Sequence, residues 1–343
     1  MQRVGVVGFG RIAELAHVPA WQELPGVRVV AVADQCAERR AYAAELLPGV
    51  RVYSHTEELL AEESIDCLDI CTPPHDHTPS ILAACARRVA RIICEKPLTA
   101  TQDEFALVSQ AQVRSGSQVY TINSWLQSDL HRLVSKALRS GIIGELRSIT
   151  LRTLRPDCAL GVPCWQPRWR TDPALAGGGI VLDHGWHQLY MMARWMGAHP
   201  VEVAATLRTV QERHAPVEDY AMLDLEFPDA RGRIELSWAA PGRTNDGEVV
   251  GTGGMIRIGD EGVTISSPDG VVEHAYGERL SDSSYHPQWF KALFTAILGD
   301  AKQTRGQENM REAQMLVDTL FKAYRPVRAA TPQQPAQLEM LNA

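Results

Sequence analysis

An acidic and a basic side chain, Asp183 and His187, lie four residues apart in the stretch GGGIVLDHGWHQLY at 177–190. Residues four apart share one face of an α-helix, so both side chains should point into the same cleft. A carboxylate beside an imidazole can form an acid and base unit that moves a substrate proton. The alternative is a glycine-rich turn before a partly buried helix whose histidines are satisfied by neighbours. We interpret His184, about a third of a turn away, as structural.

A lysine and several polar residues follow two apolar runs in the first third of the chain. The tripeptide EKP at 95–97 comes directly after the run RIIC, and TPPHDH at 72–77 follows an earlier run. Ligands of open α/β sheets bind beyond the carboxyl ends of the strands, so both segments should line one cleft. A lysine directly after an apolar run is unusual for a solvated surface group, with an ion pair or a loop lysine as the alternative. His75 and His77 lack matching ligand spacing, and we predict no metal.

The stretch GFGRIA at 8–13 follows an apolar run and opens an amphipathic segment, as a dinucleotide-binding GxGxxA turn does. Asp34 comes 21 residues after Ala13, where a carboxylate can accept hydrogen bonds from a ribose 2′-hydroxyl. A glycine turn plus a surface aspartate is the alternative. The charge of Asp34 favours NAD over NADP, although a nearby arginine, Arg39 or Arg40, could neutralise a 2′-phosphate.

The whole chain limits the class of protein. Its 343 residues are enough for two domains, and its net charge of −7 argues against a nucleic-acid or anionic-membrane partner. We find no signal peptide and no run long enough to span a bilayer, so we expect a cytoplasmic protein. The seven cysteines form no CxxC pair and are interpreted as small buried apolar residues.

The pattern of apolar residues changes along the chain. Residues 1–123 alternate short apolar runs with amphipathic segments, which predicts a doubly wound parallel sheet. Residues 124–330 contain strands with period-two alternation and long amphipathic helices, which predicts an α+β substrate-binding domain. The tail at 331–343 should be mobile or dock on a neighbour. The expected strands are 4–7, 27–33, 67–71, 91–94, 118–122, 201–210, 221–227, 233–238 and 255–258, and the expected helices are 129–140, 183–196, 287–298 and 307–324.

The ordered set of GxGxxA, Asp34, TPP, EKP and GGGxxxDxGxH resembles the Gfo/Idh/MocA oxidoreductase family over nearly the whole chain. This resemblance implies a Rossmann domain and a C-terminal domain with a large open antiparallel sheet that often forms homodimers or homotetramers. It also implies that Lys96 is the active-site lysine and that Asp183 and His187 are the aspartate and histidine of the second motif. The motifs and the resemblance give these expected dinucleotide-binding residues: Gly8, Phe9, Gly10, Arg11, Ile12, Ala13, Asp34, Thr72, Pro73, Pro74, His77, Glu95, Lys96, Asn123, Trp169 and Arg170.

The resemblance implies an NAD-dependent dehydrogenase or reductase acting on a secondary alcohol or ketone of a sugar, amino sugar or cyclitol. We expect His187 to act as the general base, with Lys96 stabilising the alkoxide and Asp183 orienting the site. One alternative is elimination or glycosidic cleavage through transient oxidation by bound NAD. The other is a noncatalytic dinucleotide-binding sensor or scaffold.

This chain departs from the family pattern at two places near the expected substrate pocket. Polyol-oxidising relatives often carry HxxD in the second motif, but Tyr190 stands at the last position here, which makes inositol a less favoured substrate. The frequent Asn-x-Arg sequence reads Asn123-Ser124-Trp125. Three nearby tryptophans, Trp165, Trp169 and Trp186, could make the pocket aromatic, and core packing is the alternative for each.

Overall fold

The computed structural model describes residues 1–281 and 285–330, and the side chains as far as Arg325. The chain forms a six-stranded and an eight-stranded sheet, which confirms the predicted fold class. The predicted tail at 331–343 lies outside the described residues. The boundaries of the two domains, at 123 and 330, stay a prediction.

The first sheet is parallel, with the order β3-β2-β1-β4-β5-β6 of a doubly wound fold. Its strands are β1 Gln2–Val7, β2 Val27–Ala33, β3 Arg51–Tyr53, β4 Cys67–Ile70, β5 Arg91–Cys94 and β6 Gln118–Thr121. The central strands are mostly apolar because helices cover both faces of the sheet, and Asp69 of β4 is a buried exception. Sequence analysis missed β3, which is only three residues long and largely exposed at the sheet edge.

The helices of this half connect the strands of the first sheet. Several of them begin just after a polar motif. They are a π-helical turn at Ala13–His17, α1 Val18–Gln22, α2 Ala37–Leu46, α3 Thr56–Glu62, a 3₁₀ turn at Pro74–Asp76, α4 His77–Ala86 and α5 Gln102–Ser115. Thr101 and Glu104 form the capping box that begins α5, and Gly116 ends it in a left-handed conformation.

The second sheet has the order β14-β13-β12-β11-β7-β10-β9-β8. Only the β7 and β10 pair is parallel in this sheet, which is otherwise antiparallel. Its strands are β7 Leu146–Leu154, β8 Glu202–Arg208, β9 Tyr220–Glu226, β10 Arg231–Ser237, β11 Thr244–Gly251, β12 Met255–Ile258, β13 Gly262–Ser267 and β14 Gly270–Ala275. Buried and exposed residues alternate along β9 and β10, because one face of the sheet packs on helices.

The remaining helices join the two sheets. They are a 3₁₀ turn at Ser124–Gln127, α6 Asp129–Ser140, a 3₁₀ turn at Trp169–Thr171, α7 Pro173–Ala176, a π-helical turn at Val181–Gly185, α8 Trp186–Met196, a 3₁₀ turn at Glu212–His214, α9 Pro287–Leu298 and α10 Thr304–Ala330. The late helix α9 returns to the first sheet, where Phe294 stacks on Trp21 with ring centroids 4.0 Å apart. Within the described ranges, no helix is long and apolar enough to cross a bilayer. The cytoplasmic location stays a prediction.

Candidate active site

A cavity of about 470 Å³ lies between the first sheet and the second half of the chain. It collects fourteen of the residues expected to bind dinucleotide or act in catalysis: Gly8, Gly10, Arg11, Ile12, Asp34, Thr72, Pro73, Pro74, Glu95, Lys96, Trp169, Arg170, Asp183 and His187. Four other expected dinucleotide-binding residues, Phe9, Ala13, His77 and Asn123, are not part of its lining and are buried beside it.

The glycine-rich turn leaves room for a phosphate group. Gly8 has a φ of +81°, and a Cβ there would come within 2.8 Å of the Thr72 backbone nitrogen. Glycine is therefore required at this position both by the backbone conformation and by the space. A Cβ at Gly10 would meet no atom within 4 Å, so the turn faces open space inside the cleft. This open turn fits the pyrophosphate of a dinucleotide.

Asp34 is held in place by two backbone donors at the end of β2. Its Oδ2 accepts the Phe9 N–H at 2.7 Å, and its Oδ1 accepts the Cys36 N–H at 2.7 Å. Burial raises the pKa of Asp34, and the two backbone hydrogen bonds oppose that rise. Each carboxylate oxygen keeps a further lone pair for a ribose hydroxyl. Phe9 thus acts through Asp34 rather than by lining the cavity.

The two arginines that could neutralise a 2′-phosphate are both engaged elsewhere. Arg39 donates to the Phe9 carbonyl at 2.6 Å and to Glu14 at 2.7 Å. Arg40 donates to the carbonyl oxygen of Asp34 at 2.8 Å. Neither side chain belongs to the cavity lining.

Lys96 and Asp183 form an ion pair across the two halves of the chain. The Lys96 Nζ lies 2.9 Å from Asp183 Oδ1 and 2.5 Å from the Asp183 carbonyl oxygen. Arg170 Nε lies 3.5 Å from the other carboxylate oxygen. Burial alone would raise the pKa of Asp183, but the charges of Lys96 and Arg170 hold it well below its usual value. Asp183 is therefore ionised and fixes the lysine ammonium at the cavity wall.

His187 lies in the cavity wall but does not pair directly with Asp183. Its Nδ1 is 3.1 Å from the hydroxyl of Tyr190, while Asp183 bonds to Lys96. Burial, and then the charge of Lys96, lower the pKa of His187 well below its usual value. The imidazole is therefore neutral at pH 7. The expected contact between Asp183 and His187 is therefore replaced by two separate contacts, Asp183 with Lys96 and His187 with Tyr190.

His184 also lines the cavity, in contrast to the purely structural place that its angle on an α-helix predicts. Its Nε2 is 3.7 Å from Asp183 Oδ2. The reason is local: the turn at Val181–Gly185 is π-helical rather than α-helical, so neighbouring side chains lie at different angles from those assumed. A π-helical turn of this kind has no reliable sequence signal.

The glycines before this helix are explained by close packing against the protein. Gly177 has a φ of +79°, and a Cβ there would come within 2.7 Å of Ala100 Cβ. A Cβ at Gly179 would overlap the Glu218 carbonyl oxygen. The Gly179 N–H also donates to the Glu218 carboxylate at 3.0 Å. The glycine run thus allows the segment before the π-helical turn to pack closely against Ala100 on one side and Glu218 on the other.

Replacing Gly179 by Ala should therefore reduce stability, because the Glu218 backbone cannot move away as a flexible side chain could. We expect the free energy of unfolding to fall by about 1–3 kcal/mol, the range typical of overpacking against a fixed neighbour. Thermal and urea denaturation of the variant measure this. Gly242→Ala is the matched control, because no atom lies within 4 Å of its added Cβ. Equal stability of the two variants would contradict the packing argument.

The tryptophans divide between the cavity and the core. Trp165 stacks on His75 with centroids 6.3 Å apart, and the Arg170 guanidinium lies 4.2 Å from the ring centre of Trp169. Trp186 is fully buried and donates to Asn123 at 2.9 Å, so core packing is the alternative that holds for this tryptophan. Trp125, which sequence analysis named only because it stands in place of an arginine, lines the cavity.

Sequence analysis missed Arg155, which follows β7 and is 4% exposed at the cavity. It donates to the carbonyl oxygens of Leu154 and Thr244 and to the Asn245 side chain, and its Nε has no hydrogen-bond partner. Within the described part of the chain, no carboxylate forms an ion pair with it. Burial, together with the charge of Arg243, lowers its pKa to about 10. No motif marks this residue, because its position depends on the second sheet.

Two expected dinucleotide-binding residues outside the cavity lining, His77 and Asn123, form hydrogen bonds with other parts of the protein. His77 places Nδ1 2.8 Å from the Pro97 carbonyl and Nε2 2.8 Å from the Thr72 carbonyl. It therefore ties together the two loops that carry the cavity residues. Asn123 donates to Glu312 at 2.7 Å and accepts from Trp186. Of the seven cysteines, five are buried as expected, but Cys36 is half-buried and Cys164 is exposed, because both lie in loops.

The chain belongs to the Gfo/Idh/MocA oxidoreductase family. Residues 2–123 match the family's NAD-binding Rossmann fold, and residues 131–257 match the GFO/IDH/MocA C-terminal domain. The predicted resemblance is thereby confirmed, together with the oxidoreductase class and the dinucleotide-binding half.

Curated relatives include reductases of sugars. The chain is 33% identical over 222 residues to a dTDP-3,4-didehydro-2,6-dideoxy-alpha-D-glucose 3-reductase from Streptomyces antibioticus, covering 64% of this chain and 65% of the relative. It is 28% identical to a 1,5-anhydro-D-fructose reductase from Ensifer adhaerens, covering 99% of both chains.

Solved structures share the fold. An oxidoreductase from Agrobacterium radiobacter, in complex with NAD+, L-tartaric acid and magnesium, superposes with a TM-score of 0.78 at 18% identity, covering 95% of this chain and 97% of the other. The 3-ketoreductase KijD10 from Actinomadura kijaniata, in complex with TDP-benzene and NADP, gives a TM-score of 0.78 at 21% identity, covering 94% and 97%. Both forms of the dinucleotide thus occur on this fold.

Proposed function

We propose that the protein is an NAD(H)-dependent oxidoreductase that moves a hydride between the nicotinamide and a secondary alcohol or ketone of a sugar, amino sugar or cyclitol. The observation that carries this proposal is that Lys96, Asp183 and His187 line the same cavity as the glycine turn and Asp34. A dinucleotide that extends from the turn would bring its reactive end toward the Lys96 ammonium. The names of the sugar-reducing relatives support the substrate class.

The chemistry that the nicotinamide supplies when bound is acceptance or donation of the hydride. The protein has to bind the sugar oxygen and move its proton. Lys96, held by Asp183, donates a hydrogen bond to that oxygen and stabilises the negative charge that develops on it. His187 is neutral and makes no described hydrogen bond through Nε2, so it can exchange a proton with the same oxygen.

Tyr190 gives His187 the freedom to serve both directions of the reaction. When Nδ1–H donates to the Tyr190 hydroxyl oxygen, Nε2 carries a lone pair that can accept an alcohol proton. When the hydroxyl donates to Nδ1 instead, Nε2 carries the proton and can donate to a ketone oxygen. The tyrosine that replaces the polyol-binding aspartate of relatives thus contacts the base instead of occupying the cavity lining.

Replacing Tyr190 by Phe should lower kcat by about tenfold, because one hydrogen bond of about 1–1.5 kcal/mol that orients the base is lost. Initial rates under saturating substrate measure this, with a thermal melt to check folding. Tyr220→Phe is the matched control, since that hydroxyl contacts Glu235 on the second sheet. An unchanged kcat in Tyr190→Phe would remove the tyrosine from the mechanism.

We further propose that NAD(H) is preferred to NADP(H). The Asp34 carboxylate lines the cavity at the end of β2, where it would accept a hydrogen bond from a ribose 2′-hydroxyl and repel a phosphate, while Arg39 and Arg40 are engaged with other groups. Asp34→Asn should shift the ratio of NADPH to NADH affinity in favour of NADPH by about 10–100-fold, the value of one or two hydrogen bonds to a charged group. Fluorescence titration of both reduced dinucleotides measures the ratio, and Asp269→Asn, an exposed residue, is the control. A ratio that does not move would contradict this role of Asp34.

The substrate side of the cavity combines aromatic and basic groups. The ring centroids of Trp125 and Trp289 lie 5.6 Å apart in an edge-on arrangement, and those of Trp125 and His187 lie 6.2 Å apart. Such rings suit the apolar face of a sugar, and the buried Arg155 can bind an oxygen-rich substituent. We therefore favour a sugar or sugar derivative over a small aliphatic alcohol.

A substrate panel tests the proposed activity. Purified protein is mixed with NAD or NADP and sugars, amino sugars or cyclitols, and with NADH or NADPH and the corresponding ketones, while absorbance of the reduced dinucleotide is followed. Turnover with one group of sugars supports the proposal. Tight retention of NAD in the purified protein, with product formed but no net change in absorbance, would favour elimination or glycosidic cleavage. Binding without any turnover would favour a sensor, which the assembled Lys96, Asp183 and His187 do not favour.

The second sheet supports an oligomeric assembly. Its edge strand β14 exposes Val271 and Val272, whose exposed fractions are 66% and 47%. An edge strand with exposed apolar residues can pair with another chain. We propose a homodimer or homotetramer that uses this sheet, which light scattering of the purified protein tests.

A further inference from the structure

Two cysteines from distant parts of the chain meet at the dinucleotide end of the cavity. Cys36 lies two residues after Asp34, and Cys164 lies in the segment 155–168 that follows β7. The Cys36 sulfur is 3.7 Å from the carbonyl oxygen of Cys164. The two sulfurs and a carboxylate oxygen of Glu38 all lie within 4.8 Å of one another.

These two thiols differ from the other cysteines in their exposure. Cys164 is exposed and Cys36 is half-buried, while the remaining five cysteines are buried. A soluble oxidant therefore reaches this pair before it reaches the others. The Cys164 segment contains no helix or strand between 155 and 168, so its backbone can shift more easily than a sheet could.

The segment 155–168 connects the second sheet to the dinucleotide cleft. It contributes several residues to the cavity lining, and its Trp165 stacks on His75 at the end of the first sheet. On the opposite side, the Cys36 N–H holds the Asp34 carboxylate. A covalent bond between Cys36 and Cys164 would fix this segment next to the ribose-binding carboxylate.

We propose that Cys36 and Cys164 form a disulfide when the protein meets a peroxide, and that this bond slows release of the dinucleotide. One thiol attacks a peroxide oxygen and becomes a sulfenic acid, releasing water. The second thiol then attacks the sulfenic sulfur, which forms the S–S bond and releases a second water. Two thiols are oxidised and one peroxide is reduced, so no other reactant is required.

The geometry requires only a modest movement. The sulfurs have to approach from within 4.8 Å to about 2.05 Å, the length of an S–S bond. Loss of hydration, the neighbouring Cys36 thiol and the Glu38 carboxylate raise the pKa of Cys164 to about 11. Because the thiolate is the form that attacks a peroxide, this raised pKa makes the reaction slow at pH 7, and the pair responds to an excess of peroxide rather than to trace oxidant.

The first test is chemical. The full chain is treated with hydrogen peroxide, and its intact mass and proteolytic peptides are measured before and after dithiothreitol. We expect a loss of two hydrogen masses, a peptide that joins Cys36 to Cys164, and full reversal by the reductant. Cys164→Ser and Cys36→Ser should each abolish the joined peptide. Sulfenic or sulfinic acid on Cys164 without any joined peptide would overturn the proposal.

The second test is functional and does not depend on the sugar substrate. The rate of NADH release is followed by stopped-flow fluorescence in reduced and oxidised protein. We expect oxidation to slow release at least about fivefold, the lower end of common coupling between two sites. Peroxide should leave release unchanged in Cys164→Ser, whose side chain is not part of the cavity lining. Equal release rates in oxidised and reduced protein would overturn the proposal. One zinc ion per chain in the purified protein, lost in Cys164→Ser, would also overturn it, because Cys36, Cys164 and Glu38 would then be metal ligands.

Discussion

The Lys96→Ala variant is expected to lose about 10²–10³-fold in kcat/KM, the usual cost of removing one donor to a developing oxyanion. The Lys96 Nζ is fixed at the cavity wall by the Asp183 carboxylate and carbonyl oxygens. Its removal takes away the positive charge that stabilises the alkoxide, whereas Asp34 and the glycine turn stay unchanged. The affinity for NADH should therefore remain within about twofold of wild type, since no charged group at the ribose end is altered.

The two quantities are measured separately, kcat/KM from initial rates and NADH affinity from fluorescence titration. Lys291→Ala is the matched control, because that lysine pairs with Glu23 and neither residue belongs to the cavity lining. Lys96→Gln separates lost charge from lost volume. If kcat/KM and NADH affinity fell by the same factor, Lys96 would be a dinucleotide-binding residue without the proposed catalytic role.

The His187→Ala variant is expected to lower kcat by about 10²–10⁴-fold, the range for removing a positioned general acid or base. The neutral imidazole is available to accept a proton at pH 7, because burial and the charge of Lys96 lower its pKa. His184 also lines the cavity and has its pKa lowered to about 3, first by burial, but its Nε2 lies 3.7 Å from Asp183 Oδ2 and so faces that carboxylate. The loss should appear in kcat more than in KM.

A second histidine variant is the control for this result. His199→Ala, an exposed residue, should behave as wild type. Small amines or imidazole added to the His187→Ala protein should restore part of the rate, because an external base can occupy the space. A change in kcat of less than about threefold in His187→Ala would transfer the proton step to another group.

The dinucleotide half could be predicted well from sequence because its signals are local. The glycine turn needs a backbone conformation that favours glycine, and Asp34 stands at a fixed distance along the same βαβ unit. Strands such as β2 and β5 were predicted with the observed ends, because a short apolar run bounded by polar residues is the pattern of a strand in a covered parallel sheet.

The substrate half was harder to predict because its residues come together only through tertiary structure. The partner of Lys96 is 87 residues away, and Arg155 reaches the cavity only when β7 joins the second sheet. Strands β7 and β11 were missed because threonine, arginine and glycine interrupt the alternation on which strand prediction depends. The π-helical turn displaced His184, and tertiary packing placed Trp186 in the core.

The measurement that tests the central claim most directly is isotope transfer. The protein is given a ketone from the panel and NADH carrying two deuterium atoms on the reactive carbon of the nicotinamide, and the product is analysed by mass spectrometry. We predict one deuterium on the carbinol carbon of the product, and formation of this labelled product about 10²–10³-fold more slowly in Lys96→Ala. A product without deuterium would contradict direct hydride transfer, and labelled product formed at the wild-type rate in Lys96→Ala would contradict the role of Lys96.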